Sequence, residues 1–326
     1  MRTGSFKECE AYSVCATFPD PLDGVLVVAS AGNTGRAFAS VCSRNQIPVI
    51  VVIPEANLNA LWFDHQLDPC VRIIAAGGES DYYDAIHLAA LITELDGFFP
   101  EGGAKNVARR DGMGTTVLSA VTTIGHIPDY YFQAVGSGTG AIAAWEANLR
   151  LLQDGRFGDG VMRLFTSQNA PFLLLKNSWE AGNRELAILD DELGREQVSQ
   201  IWAPVLSNRK PPYSIEGGFY DAMRATNGRV YGVTNAEAQA AFQLFLETEG
   251  IDIDPAAAVA VGSLIQAVKA GDVEADATIM LNITGGGAQR IHTEIDLFQA
   301  QPELAIPVKD INRASVEKKI PVLFEE

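Results

Sequence analysis

Short apolar runs recur along this chain, and each is followed by a turn and then by a stretch with helical spacing. Val25–Ala29, Pro48–Ile53, Val71–Ala75, Tyr130–Val135, Val161–Thr166, Val230–Val233 and Ala277–Leu281 read as buried strands. Between them, Thr34–Arg44, Ser80–Leu95, Thr115–Ile124, Gly140–Leu152, Asn235–Thr248 and Pro255–Ala270 read as helices. In the first of these Ala37, Phe38, Val41 and Cys42 fall on one face, and Ser80-Asp81 is a good N-cap signal for the second. A further helix is expected around Leu58 to His65. Strands that are apolar on both faces and alternate with helices call for parallel sheets covered on both sides. The expected fold class is therefore α/β, with parallel-sheet, three-layer domains. A length of 326 residues is more than one core usually holds, so two domains or one large α/β unit are expected. Gln168 to Tyr220, with Pro171, Pro204, Pro211 and Pro212, is the least regular part.

Charge narrows the function classes. Lys+Arg number 24 against 41 Asp+Glu, a formal net charge of -17. Such a surface repels nucleic-acid phosphates and anionic lipid, so neither partner is expected. An anionic substrate would need a local positive site. No apolar run approaches the roughly 18 residues of a transmembrane helix, and the N-terminus has no signal-peptide core, so a cytoplasmic location is expected. Cys9, Cys15, Cys42 and Cys70 form no C-x-x-C pair and read as free thiols. His65, His87, His126 and His292 are scattered, and no metal site is expected.

Four motifs could carry chemistry. Ser30-Ala31-Gly32-Asn33-Thr34-Gly35 lies between a strand and a helix, where backbone N–H groups make an anion site; equally, it could be only an N-cap and tight turn. Gly136-Ser137-Gly138-Thr139-Gly140 has the same placement, and three glycines in five residues suit a loop of amides around a phosphate. It is not a P-loop, since no Gly-Lys-Ser/Thr follows, and it matches the dinucleotide fingerprint only weakly. Asn282-Ile283-Thr284-Gly285-Gly286-Gly287 closes a buried strand, and Thr284 could offer a hydroxyl at the sheet's carboxyl edge; the plain alternative is an exit loop. Lys7, in Thr3-Gly4-Ser5-Phe6-Lys7-Glu8, is either a solvated charge or a Schiff-base nucleophile.

Taken in this order, the four motifs resemble those of the fold-type II pyridoxal-phosphate enzymes, the family of threonine synthase, cysteine synthase and tryptophan synthase β. The resemblance spans Lys7 to Gly287. It implies pyridoxal 5'-phosphate as cofactor and a two-domain fold like that of tryptophan synthase β. In that frame Lys7 is the Schiff-base lysine and general base, and Gly136, Ser137, Gly138, Thr139 and Gly140 hold the cofactor phosphate. Ser30, Gly32, Asn33 and Thr34 bind the substrate carboxylate, with Asn33 also on the cofactor's O3′. Thr284 stands by the pyridine nitrogen as a neutral partner, which favours β-replacement. The smaller domain is expected over residues 24–126, and the larger over 1–23 plus 127–326. Family chains carry a longer segment ahead of the lysine than the six residues found here, so part of the larger domain is expected to be absent.

The stretches 1–8, 207–214 and 249–256 carry a finer resemblance, to threonine synthase-like chains of methanogens that join O-phosphoserine and sulfite into cysteate and phosphate on the route to coenzyme M. Both of those substrates are anions. Lys105 and Arg110 are the favoured cations to hold them, ahead of Arg109, Arg209 and Lys210. The alternatives are a threonine synthase acting on O-phosphohomoserine and a non-catalytic or truncated regulator of the same fold. A homo-oligomer is expected.

Overall fold

The computed structural model describes residues 1–324. They divide into two compact units: residues 1–108 together with the C-terminal stretch from His292, and residues 109–291. The expected boundaries, 24–126 and 1–23 plus 127–326, differ from these at both ends of the chain. The physical reason is packing. The helix that carries Lys7 lies against the helix after Ser30, and a late strand extends the first sheet.

The first unit holds α1 (Lys7–Cys15), β1 (Val25–Ala29), α2 (Asn33–Asn45), β2 (Val49–Pro54), β3 (Trp62–Phe63), β4 (Val71–Gly77), α3 (Tyr82–Ile92) and β5 (Phe98–Pro100). The second holds nearly all of α4 (Val107–Ile124), then β6 (Tyr130–Ala134), α5 (Thr139–Asp154), β7 (Arg163–Asn169), α6 (Leu174–Glu180), α7 (Asp191–Gln200), α8 (Phe219–Ala225), β8 (Arg229–Val233), α9 (Asn235–Glu249), α10 (Pro255–Ala270) and β9 (Ile279–Leu281). After α11 (Ala288–Glu294) the chain returns to the first unit with β10 (Phe298–Gln299), β11 (Leu304–Pro307) and α12 (Arg313–Lys319).

The first sheet has the order β11-β4-β2-β1-β5, with every pair parallel. Successive side chains on a strand face opposite ways. Leu26, Val28, Val49 and Val51 therefore pack on one face with Ala11, Val14, Phe38 and Val41 of α1 and α2. Val27, Ile50 and Val52 pack on the other with Leu88 and Ile92 of α3 and Val316 of α12. Each of the Val, Leu, Ile and Phe side chains, fully buried, is worth about 1.5–3 kcal/mol. Asp81 starts α3 through a capping box with Asp84, as the N-cap signal predicts.

The second sheet has the order β8-β7-β6-β9, again parallel throughout. Ser167 reaches the Val259 carbonyl of α10, and its neighbour Thr166 reaches the Met223 sulfur of α8, so these helices cover opposite faces. The alanines of α10 let that helix lie close to the strands.

Two local expectations are corrected. The helix expected around Leu58–His65 is a 3-10 turn over Glu55–Ala60, followed by β3. Trp62 and Phe63 pair antiparallel with Gln299 and Phe298, a partner far away in sequence that no local pattern announces. The irregular stretch Gln168–Tyr220 holds the short helices α6 and α7, which tertiary contacts stabilise rather than periodicity. All four cysteines are free thiols, with Cys15 Sγ 3.8 Å from Cys42 Sγ. Among the described residues no helix is long and apolar enough to cross a membrane.

Candidate active site

In each sheet the chain steps outward in one direction and then returns to the other side of the first strand. In the first unit β2 and β4 lie on one side of β1 and β5 on the other. In the second, β7 and β8 lie on one side of β6 and β9 on the other. Ligands of open parallel sheets bind outside the carboxyl ends of the strands at such a switch point. Three of the four motifs follow strands at these points: β1, β6 and β9.

In the first unit, Ser30-Ala31-Gly32 leaves the carboxyl end of β1 and enters α2. Ser30 is buried, and its Oγ accepts the N–H groups of Gly32 (2.9 Å) and Gly35 (2.7 Å). Its oxygen thus shapes the loop, and only its O–H is left to donate to a ligand. Asn57 Nδ2 donates to the Ala31 carbonyl at 2.8 Å and ties the loop down. No side chain caps α2 and no acidic residue stands in its first turn, which suits a carboxylate at this helix N-terminus.

Beside it, β5 runs into a turn in which Glu101 N–H donates to the Val27 carbonyl, and Glu101 Oε2 accepts from Gly103 N–H at 3.0 Å. Lys105 stands exposed at the end of this turn, on the same sheet edge as Ser30. Lys7 opens α1, with 21% of its side chain exposed. Its Nζ lies 3.3 Å from Oε2 of Glu10, one helical turn on, and Glu10 is fully buried. The amine is therefore aimed rather than loose.

The second unit places two motifs on adjacent strands. The Gly136–Gly140 loop follows β6, and Asn282–Gly287 follows β9 beside it, held by Asn282 N–H to the Phe132 carbonyl. Gly138 adopts a φ of +81°, and a Cβ there would sit 2.4 Å from the buried Phe219 ring. The hydroxyls of Ser137 and Thr139 lie 2.8 Å apart, and α5 begins without a side-chain cap or an acidic first turn. Such a cradle, closed to any side chain at Gly138 and lined by donors, fits a phosphate group.

Beneath it runs a buried chain of polar groups. Asn282 Nδ2 donates to Tyr131 Oη at 2.7 Å, and Tyr131 donates to Gln133 Oε1 at 2.5 Å, against which Gly140 packs. Burial pushes the Tyr131 hydroxyl well above its usual range, so it stays protonated. Thr284 is buried, and its loop is pinned by the Ile253–Gly286 bridge and by Gly287 N–H to the Asp252 carbonyl. A Cβ at Gly286 would lie 2.5 Å from the Asp252 carbonyl oxygen and 2.9 Å from Ile253 Cα. Gly286→Ala should therefore lower stability by about 2 kcal/mol, read as an earlier urea midpoint. An unchanged midpoint would contradict the tight seating of this loop.

The remaining cations are placed as follows. Arg110 pairs with Glu146 at 2.8 Å, which commits part of its guanidinium within the second unit. Arg109 is buried in α4. Arg209 is buried and hydrogen-bonds Asp191, holding that carboxyl below its usual range, while Lys210 is exposed. Sequence reasoning missed Glu10, Arg36 and Tyr131, and quoted Asn282 only as the start of the third motif, without a role. The spacing of Glu10 three residues after Lys7, and of Arg36 three after Asn33, is the signal that could have found the first two.

The chain belongs to the pyridoxal-phosphate dependent enzyme family, whose profile matches residues 1–285 and so takes in every motif above except Gly286 and Gly287. Within that class, similar curated proteins include cysteate synthases. That of Methanocorpusculum labreanum is 50% identical over 299 residues, covering 90% of this chain and 71% of the relative. That of Methanocella arvoryzae is 47% identical over 322 residues, 98% of this chain and 77% of the relative. Maize serine racemase has a similar fold, with a TM-score of 0.65 at 16% identity, covering 90% of this chain and 84% of that one. A Dictyostelium discoideum serine racemase gives 0.56 at 19%, covering 87% and 83%. The expected fold-type II α/β architecture and the pyridoxal 5'-phosphate cofactor are thereby established.

Proposed function

We propose that this enzyme replaces the phosphate of O-phospho-L-serine with sulfite, releasing L-cysteate and inorganic phosphate. The observation that carries the reading is the 46–50% identity to cysteate synthases over 90–98% of the chain. When bound, the cofactor supplies an electron sink for the charge that develops at the substrate Cα. Lys7 Nζ holds the cofactor, takes the Cα proton and later returns it. Glu10, in contact with Nζ, keeps the amine oriented between these tasks. The Gly136–Gly140 cradle and the first turn of α5 hold the cofactor phosphate, and Thr284 supplies an uncharged hydroxyl to its ring nitrogen. The first turn of α2, with Asn33 and Thr34, receives the substrate carboxylate, and Asn33 would also donate to the cofactor's O3′. Lys105, with the positive charge of Arg110, attracts the phosphate that leaves with the Cβ–O electron pair and the sulfite whose sulfur lone pair forms the new Cβ–S bond.

The test is a pair of assays on the protein supplied with pyridoxal phosphate. O-phosphoserine with sulfite should give cysteate and phosphate in equal amounts, with little turnover of O-phosphohomoserine. The two amino acids differ by one methylene, worth about 1–3 kcal/mol or 10–200-fold in discrimination. Threonine formed from O-phosphohomoserine, with no cysteate from the first pair, would overturn the proposal.

A further inference from the structure

Arg36 stands three residues after Asn33 on the same face of α2 and is 4% exposed. Its Nε donates to the Thr3 carbonyl at 2.9 Å. One terminal nitrogen donates to the Ala60 carbonyl at 2.6 Å, and the other to Asn33 Oδ1 at 2.7 Å. The guanidinium carbon lies 4.1 Å from the centroid of the Trp62 ring. Burying a guanidinium is costly, and it persists only where its donors are satisfied. Here they tie together three separate segments. Thr3 is itself held, since its N–H and Oγ1 both donate to Glu8 Oε2 at 3.0 Å. A continuous run of hydrogen bonds thus leads from Glu8, next to Lys7 in α1, through Thr3 and Arg36 to Asn33.

We propose that Arg36 is a positioning residue for cofactor binding: it fixes the Asn33 amide with Oδ1 toward itself, so that the other edge is a donor, and holds that edge in register with Lys7. The inference rests on the functional reading above, in which Lys7 and Asn33 both serve the cofactor. An amide offers an acceptor on one side and two donors on the other, and rotation by half a turn exchanges them. With Arg36 in place, the rotated amide would set donor against donor. The cofactor's phenolic oxygen is an acceptor, and it needs the donor edge. Lysine could not substitute, because a single ammonium cannot span three acceptors in a planar fork.

The experiment measures, on the full chain, the affinity for pyridoxal phosphate and the position of the visible band of the bound cofactor. Arg36→Met should weaken affinity about tenfold, the worth of one well-formed hydrogen bond, and shift the band, and Arg36→Lys should not restore either. Asn33→Asp keeps an acceptor for Arg36 but removes the donor. It should fold normally, yet show the same band shift and at least the same loss. The double variant Arg36→Met, Asn33→Ala should bind no worse than Asn33→Ala alone, because Arg36 acts through Asn33. A wild-type band and affinity in Asn33→Asp overturns the inference, as do additive losses in the double variant. Should Arg36→Met fail to fold, Asn33→Asp decides the matter. Borohydride reduction of the wild type separates this result from failure of the functional reading. No adduct on the Lys7 peptide sinks that reading, whereas an adduct with an unaffected Asn33→Asp leaves the Lys7 assignment standing and removes the Asn33–cofactor contact and, with it, the role of Arg36.

Discussion

Replacing Lys7 with alanine should lower turnover by about four orders of magnitude, the upper range for a positioned proton-transferring group. It should also leave the cofactor removable by simple dialysis. Lys7 opens α1, and its Nζ is held 3.3 Å from a fully buried carboxylate. No other lysine is within three residues on this helix, so the lost amine has no neighbour to replace it. Glu10 loses its Lys7 contact in the variant, so some stability is lost as well, and Lys7→Met, which keeps the side-chain bulk, is the better-behaved companion. The measurement is turnover together with the visible spectrum before and after dialysis, with a melting curve to show that the variant is folded. A folded Lys7→Ala protein with wild-type turnover would remove the basis of the assignment.

Gly138→Asp should weaken pyridoxal phosphate binding by about a thousandfold, through two effects that a second variant separates. The first is steric. The backbone φ of +81° strains any L side chain, and the new Cβ would meet the buried Phe219 ring at 2.4 Å. The second is electrostatic, because a carboxylate would stand at the uncapped N-terminus of α5, where the proposed site puts the cofactor phosphate. Gly138→Ala carries only the first effect. Titration with the cofactor should therefore order the proteins as wild type, Gly138→Ala, Gly138→Asp. Equal affinities for the two variants would show that no anion binds at this loop, and unchanged affinity in both would refute its role altogether.

Much of the molecule was legible in the linear chain because its physics is local. A parallel strand buried on both faces reads as an unbroken apolar run, so β1, β2, β4 and β6 stand out, as do the helices that follow them. The loops that follow β1, β6 and β9 are visible too: each alone could be a plain turn, and it is their order along the chain that sets them apart. The functional class followed from those motifs in their order, and the cofactor with it.

Tertiary structure decided what depends on long-range partners. Trp62 and Phe63 became a strand because Phe298 and Gln299 pair with them, and residues 1–23 joined the first unit because α1 packs on α2. The switch points emerged only from strand order, which put β5 beside β1 and β9 beside β6. The sequence favoured Lys105 and Arg110 alike, yet Arg110 is engaged by Glu146, as Arg209 is by Asp191, while Lys105 stands exposed. Arg36 passed unnoticed as one more helix arginine, although its fork joins Thr3, Ala60 and Asn33. A sequence shows which residue types can do chemistry, since that depends on composition and neighbours along the chain. Which charges are spent on structure and which stay available depends on contacts between segments far apart in sequence, and those form only when the chain folds.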